Sequence, residues 1–367
     1  MFEFFKDWYR RHFSDPQAIL LAVFLFLGFA VVIIFGEMLA PFFSAVVFAY
    51  LLEQPTQLLE RLGFPRLLAV ISVFLLFVTA LSFLVLGLLP ILSQQITEFV
   101  QQLPRLINDG RQMLLDFLEP HLEVIPAEQI NDIVATIRRA LTELGHNVLS
   151  WSLASISVVV AVGVYLIIVP FLVFFFLKDK NLIVNWLVHF LPADRTLLIR
   201  VWKEMDDQIG NYIRGKFNEI LIVAVATYVS FALMGLAYAP LLSVLNGFSV
   251  IIPYIGTTVV TIPVAFAAYA QWGMDIHVLW ILGIYLLIHF IDGNFVVPIL
   301  FSKAVNLHPV AIIVAILVFG GFWGFWGVFF AIPLATLVKA ILDVWPVSPA
   351  ATPLEAAAKR PPPQQAA

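Results

Sequence analysis

Ile291-Asp-Gly-Asn-Phe-Val-Val-Pro298 puts a carboxylate, a glycine, an asparagine and a proline near the end of a long apolar run. Another apolar run broken by glycine and proline lies on each side of it, Asn246 to Pro263 before and Phe319 to Pro333 after. Soluble cores rarely carry such interruptions. A membrane-embedded chain tolerates them only where the freed peptide groups meet protein, water or cargo, which is the pattern of transporters with discontinuous helices.

The rest of the chain sets the class. Of its 367 residues, 62% are hydrophobic and 12% charged, and the mean hydropathy is +0.98; a soluble chain carries about 25% charged residues. Several stretches reach the roughly 20 apolar residues that cross a bilayer as a helix. The segments of about ten alternating residues that mark a transmembrane barrel are absent. The expected fold is therefore an all-α polytopic membrane protein. Without cysteine there is no disulfide, thiolate metal site or cysteine nucleophile. Gly210-Asn-Tyr-Ile-Arg-Gly-Lys-Phe217 matches G-x-x-x-x-G-K but continues with Phe217, not a metal-binding hydroxyl. It also opens a membrane span instead of following a strand, so it is not read as a nucleotide site. H-E-x-x-H and G-x-S-x-G do not occur. No enzyme activity, cofactor, metal or nucleic-acid partner is expected; the expected partners are the lipid bilayer and a small solute or ion.

Residues 1–90 read as an N-terminal membrane scaffold. An aromatic and basic start (Phe2, Phe4, Phe5, Trp8, Lys6, Arg10, Arg11) forms an interfacial anchor. An uncleaved span Ala18–Gly36, a turn at Glu37 and Pro41, a return to about Leu52 and a third span from about Leu67 to Leu89 follow. Residues 91–148 hold no spanning run, and Ile96, Phe99, Val100, Leu103, Leu106 and Ile107 recur at helical spacing. They are expected to form extracytoplasmic amphipathic helices broken near Pro120 and Pro126. Residues 149–177 hold the fourth span. The loop or helices of 178–216 carry the densest basic charge, which places them, and with them both termini, in the cytoplasm. Residues 346–367, rich in alanine and proline, read as a disordered tail.

The half from 217 to 345 reads as the transport unit. The run Leu241–Ala270 is long for one helix and short for two crossings. Pro309–Leu342 repeats that length. Two oppositely oriented re-entrant hairpins would make about six full spans with inverted-repeat logic; the alternative is eight transmembrane helices. The breaks fall at Pro253, Gly256, Pro298, Gly320, Gly321 and Gly324. The closely spaced glycines equally suit tight helix packing.

Asp292 is the leading candidate for substrate or ion binding, because a carboxylate at membrane depth costs about 2.5–3.5 kcal/mol and must face a cavity or partner. Tyr285, His289 and Asp292, at i, i+4 and i+7, share one helix face that could bind a cation or pass a proton. The structural alternative is Asp292 as the cap of a broken helix with His289 a satisfied neighbour. Asn294 is a possible neutral ligand. Glu219 is a second carboxylate, or an interfacial i,i+3 partner of Lys216. Arg214, Lys216 and Asn218 either anchor the helix at the headgroups or line a cytoplasmic gate.

Taken together and in order, five stretches resemble the autoinducer-2 exporter-like permease family over most of residues 15–345. They are Pro170-Phe-Leu-Val-Phe-Phe-Phe-Leu-Lys-Asp179, Tyr212-Ile-Arg-Gly-Lys216, Ile252-Pro-Tyr-Ile-Gly256, Asp292-Gly-Asn-Phe-Val-Val-Pro298 and Leu307-His-Pro309, followed by the Gly320–Pro333 region. The resemblance implies a multi-pass permease of the bacterial inner membrane working as a homo-oligomer, in a family linked to autoinducer-2 export or to sodium or proton exchange. Lys216 and Asp292 depart from the glutamine and glutamate of many relatives. The function expected is that of a secondary transporter; the alternative is a non-transporting scaffold or regulator acting through its extracytoplasmic helices.

Overall fold

The computed structural model describes residues 16–36, 38–118, 135, 136, 139, 143, 156–190, 196–301 and 307–344. The expected N-terminal anchor, Glu37, the breaks near Pro120 and Pro126, Lys303 and the tail lie outside those residues. All regular structure among the described residues is helical. In chain order the helices are α1 (Pro16–Phe35), α2 (Ala40–Arg61), α3 (Arg66–Phe83), α4 (Leu89–Leu118), α5 (Ile156–Lys178), α6 (Lys180–His189), α7 (Thr196–Leu233), α8 (Ala239–Ser249), α9 (Ile255–Trp272), α10 (Ile276–Ile291), α11 (Val297–Phe301), α12 (Pro309–Phe329) and α13 (Ala331–Val344). By length and composition, 5 helices can cross a membrane, or up to 7 if each of two bent pairs is one span. The bent pairs are α1 with α2 and α5 with α6.

Two helix junctions share one cause. A π turn at Leu84–Leu88 joins α3 to α4, and a second at Asp292–Val296 joins α10 to α11. A proline follows each within two residues, Pro90 and Pro298. A proline inside a helix has no N–H to donate, and its ring collides with the carbonyl four residues back. A widened turn just before it relieves that collision without ending the helix. Helix therefore runs on from Arg66 past Leu89, where the sequence places the end of the third span, and the residues beyond Leu92 turn polar with Ser93, Gln94, Gln95 and Glu98.

The chain divides into two compact units. The larger comprises residues 40–180 and 210–304. One of its cores joins α2, α3 and α5 through Ala45, Val70, Phe77, Val169, Val173 and Leu177. Arg66 closes the end of that core. Its guanidinium binds Glu53 at 3.0 Å and Glu60 at 3.2 Å, and donates to the Leu177 carbonyl at 2.6 Å. The second core draws on α7 to α10, around Phe231, Leu242, Val264, Ala268, Ile281 and Tyr285. Ile96 and Phe99 of α4 pack against it, Phe99 edge-on to Tyr238 at 5.4 Å. Gln95 Oε1 accepts from the Leu241 N–H at 3.0 Å. This start of the amphipathic stretch is thus a packed part of the bundle.

Between α8 and α9 the helix breaks at residues 250–254, where Tyr254 takes a positive φ of 64°. The legs fold together, and Gly256 lies so close to the Ser249 carbonyl that any Cβ would collide with it. Asp275 caps α10. Its carboxylate accepts from the His277 backbone N–H at 2.9 Å and touches His277 Nδ1. These bonds hold it below the usual carboxylate range.

The smaller unit comprises residues 1–39, 181–209 and 305–367. Phe29 of α1 packs edge-on against Phe319 and Phe322 of α12, at 6.1 and 6.2 Å. Gly36 leaves the indole of Trp323 no room for a Cβ between them. Within α12, Gly324 has non-helical angles, φ 56° and ψ −134°. The chain turns back on itself there, bringing Gly327 against the Phe319 carbonyl and Gly320 against Val328. Only glycine occupies such angles without strain. Gly324→Ala should cost about 1–3 kcal/mol, whereas Gly321→Ala, at a position with open space for a Cβ, should be close to neutral. Thermal unfolding of the two purified variants in detergent checks the difference.

Candidate functional site

Helix α7 is 38 residues long, about 57 Å at 1.5 Å per residue. It therefore begins well before the apolar stretch that follows Phe217. Lys216 and Glu219 fall inside the larger unit, not at an exposed helix end. They form an i,i+3 pair at 2.7 Å with side chains 5% and 3% exposed. Both side chains are therefore buried among protein groups.

The Lys216 ammonium has three kinds of partner. Besides Glu219 it donates to the Val250 carbonyl at 2.9 Å and lies 5.4 Å from the centre of the Phe301 ring. Val250 opens the break between α8 and α9, so its carbonyl is one that an unbroken helix would have used internally. Gly215 lets the chain approach closely here, since a Cβ would press on the same Phe301 ring. The ring's negative face favours a desolvated cation.

Asp292 opens the π turn that precedes Pro298 and is buried. It lies close enough to Lys216 and Glu219 for their charges to interact. Its Oδ1 is shielded from solvent without a hydrogen-bond partner. The cluster thus holds one ammonium and two carboxyl groups. Glu219 Oε2 meets the ammonium at 2.7 Å as an ion pair without a well-angled hydrogen bond, whereas Asp292 Oδ1 has neither.

One turn earlier on α10 lies a second polar network. Asn246 is fully buried. Its Nδ2 donates to Thr227 Oγ1 at 2.8 Å, which turns its Oδ1 toward His289 Nε2 at 2.9 Å. The bonded His289 nitrogen must then be the one that carries the proton. Ser249 Oγ donates to the Asn246 carbonyl at 2.7 Å. Tyr285 meets the His289 ring edge-on at 4.5 Å, and its hydroxyl donates to the Thr257 carbonyl at 2.6 Å. The network therefore spans α7, α8, α9 and α10.

Tyr285, His289, Asp292, Glu219 and Lys216 are thus gathered within one unit. Asn218 and Asn294 are exposed, and Asn294 Nδ2 donates back to the Phe290 carbonyl at 2.8 Å. Arg214 is separate from Lys216; it lines a cleft with Asn211 and α2. Pro253 and Gly256 form the α8–α9 break beside Val250, while Gly320, Gly321 and Gly324 belong to the smaller unit. Asn246 was legible only as an interruption of an apolar run, and Thr227 and the Val250 carbonyl gave no signal at all. Among the described residues no group of three or more His, Asp or Glu is placed to hold a metal ion.

The family model described as AI-2E family transporter matches residues 19–347. A protein of Escherichia coli strain K12 named "Putative permease PerM" is 45% identical over 346 residues, covering 94% of this chain and 98% of its own. The Bacillus subtilis strain 168 protein named "Putative transport protein YueF" is 26% identical over 341 residues, 90% of this chain and 92% of its own. A "Putative transport protein" of Thermotoga maritima is 23% identical over 333 residues, 90% and 95% of the two chains.

Removing one partner of a buried pair leaves an uncompensated charge and costs about 3–5 kcal/mol. Lys216→Met should destabilise the protein on that scale, and adding Glu219→Gln should restore much of the loss. A double-mutant cycle of unfolding in detergent micelles measures the coupling. Additive losses would show that the two side chains do not stabilise each other.

Proposed function

The chain belongs to the AI-2E transporter family, and from that premise we propose that it is a secondary transporter of a small solute or ion whose binding carboxylate is Asp292. One observation carries the assignment: a carboxylate oxygen buried without a partner beside an ammonium that another carboxylate already engages. Leaving a buried acceptor unmade costs about 1–3 kcal/mol, more for a charged group. A proton, a small cation or a donor group of a polar solute would satisfy it.

In this reading Lys216 balances one of the two carboxylates, and the other takes the cargo or its coupling ion. Glu219 holds Lys216 in place. His289, Asn246 and Thr227 keep α10 in register with α7 and α8 whatever Asp292 binds. The chain sits in a bacterial inner membrane with both termini in the cytoplasm, the side on which its basic residues collect. Helix α8 has 11 residues, about 16 Å, too short for a hydrocarbon core of about 30 Å. We therefore read α8–α9 as a re-entrant hairpin with its tip at residues 250–256. The folded legs around Gly324 form a second hairpin of opposite orientation.

In proteoliposomes the wild type should move one of a panel of protons, sodium and small polar solutes, and Asp292→Asn should slow that flux at least about tenfold, the equivalent of 1.4 kcal/mol. Unchanged flux of every tested species in a folded variant removes Asp292 from the mechanism, and a wild type that moves nothing removes transport of those species. Topology has its own test, because the chain has no native cysteine. A membrane-impermeant thiol reagent applied from outside should label Asp275→Cys and spare Lys303→Cys; labelling of position 303 would exclude the hairpin arrangement.

A further inference from the structure

A cleft of about 610 Å³ opens in the larger unit, apart from the Lys216 cluster. Glu53, Gln54, Pro55, Gln57, Leu58 and Arg61 of α2 form one wall, and Asn211 and Arg214 of α7 the other. Arg214 precedes Lys216 by two positions, about 200° around the helix, so the two cations leave α7 on different sides. Pro55 removes one backbone donor from α2, and the amides of Gln54, Gln57 and Asn211 supply polar groups in its place.

The charges in this cleft do not cancel. Glu53 is its sole acid and is already taken. Its Oε2 pairs with Arg66 at 3.0 Å, and its Oε1 pairs with Lys180 at 3.5 Å and accepts from Gln57 at 3.0 Å. Arg214 Nη2 donates to Asn211 Oδ1 at 3.0 Å, which orients the guanidinium and leaves most of its five donors free. Arg61 has no acidic partner among the described residues. Two guanidinium groups therefore face a cleft large enough for an organic ligand, with no free carboxylate to answer them.

The surroundings narrow the ligand further. Leu58, Leu62 and Phe64 are 59%, 69% and 46% exposed beside the cleft's α2 wall. In sequence, α2 turns from apolar to polar near Glu53, where a membrane helix leaves the hydrocarbon. Basic clefts at this depth suit phosphate headgroups, with arginine forks matching the phosphate oxygens. We propose that this cleft binds a phosphate group carrying an organic body, its charge held between Arg61 and Arg214. The source is either an anionic phospholipid or a soluble phosphate ester.

The full chain, purified in a neutral detergent, is titrated with short-chain phosphatidylglycerol and separately with glycerol 3-phosphate. Binding of the first alone identifies a lipid source; binding of the second identifies the phosphate ester as sufficient. In either case Arg61→Gln and Arg214→Gln should each weaken the dissociation constant about tenfold, the loss of one charge-assisted bond. Arg105→Gln, on the exposed side of α4, should not change it. Both cleft arginines are at least partly exposed, so the variants should fold, and matched melting curves confirm that. Failure of both ligands to bind the wild type, or binding indifferent to both cleft substitutions, overturns the assignment.

Discussion

A buried ammonium dictates how the larger unit is assembled. Lys216 cannot sit away from water unless each of its donor directions is answered. The answers come from four segments: Glu219 on its own helix, the Val250 carbonyl at the α8–α9 break, the Phe301 ring on α11, and Asp292 by charge. Gly215 gives α11 its close approach and Glu219 sets the height of the pair. The α8–α9 break is needed for the same reason, since an intact helix would have kept the Val250 carbonyl for itself. A substitution in any of these elements is therefore felt by the others.

Proline governs the other side of the cluster. Pro298 follows the Asp292–Val296 π turn as Pro90 follows the Leu84–Leu88 turn, but the two have different surroundings. The turn before Pro90 contains only apolar residues and lengthens a span. The turn before Pro298 starts at a carboxylate and changes the helical phase of the residues that follow it. Asp292 itself keeps the register of α10, its N–H bonding the Ile288 carbonyl, so it stays on the stripe of Tyr285 and His289. The wider turn shifts the phase of the residues after it, where the Val297 N–H reaches back to the Asp292 carbonyl.

The class of fold, the breaks and a carboxylate within an apolar run were legible in the sequence, because each follows from local rules. Hydropathy marks membrane helices, and glycine and proline mark interruptions such as Pro253 and Gly324. The i, i+4, i+7 spacing marks Tyr285, His289 and Asp292. The pairing of Lys216 with Glu219 was visible in their spacing, but their depth was not, because nothing in the residues before Phe217 announces that α7 starts at Thr196. Asn246 looked like a helix breaker; its role depends on Thr227 and His289, 19 and 43 residues away. The bonds of Arg66 to Glu53, Glu60 and the Leu177 carbonyl likewise depend on three helices converging. That helix continues beyond the apolar run of the third span was not legible, because it depends on a π turn at Leu84–Leu88 that accommodates Pro90.

Two neighbouring turns of one helix therefore carry opposite hydrogen-bonding conditions. Around His289, the Nε2 atom, the Asn246 amide and the Tyr285 hydroxyl each meet a protein partner, so those contacts have much to lose by moving. At Asp292 one oxygen is left over. A binding site needs both conditions at close quarters: fixed donors and acceptors to hold the geometry, and an unmet one to supply the drive. If the fixed part were missing, Asp292 would relax toward water or toward Lys216. If the unmet oxygen were paired internally, the cluster would be another structural ion pair, like that of Arg66 with Glu53. The two charged clusters of the same unit therefore differ in one respect: that of Arg66 is closed, and that of Asp292 leaves an oxygen without a hydrogen bond.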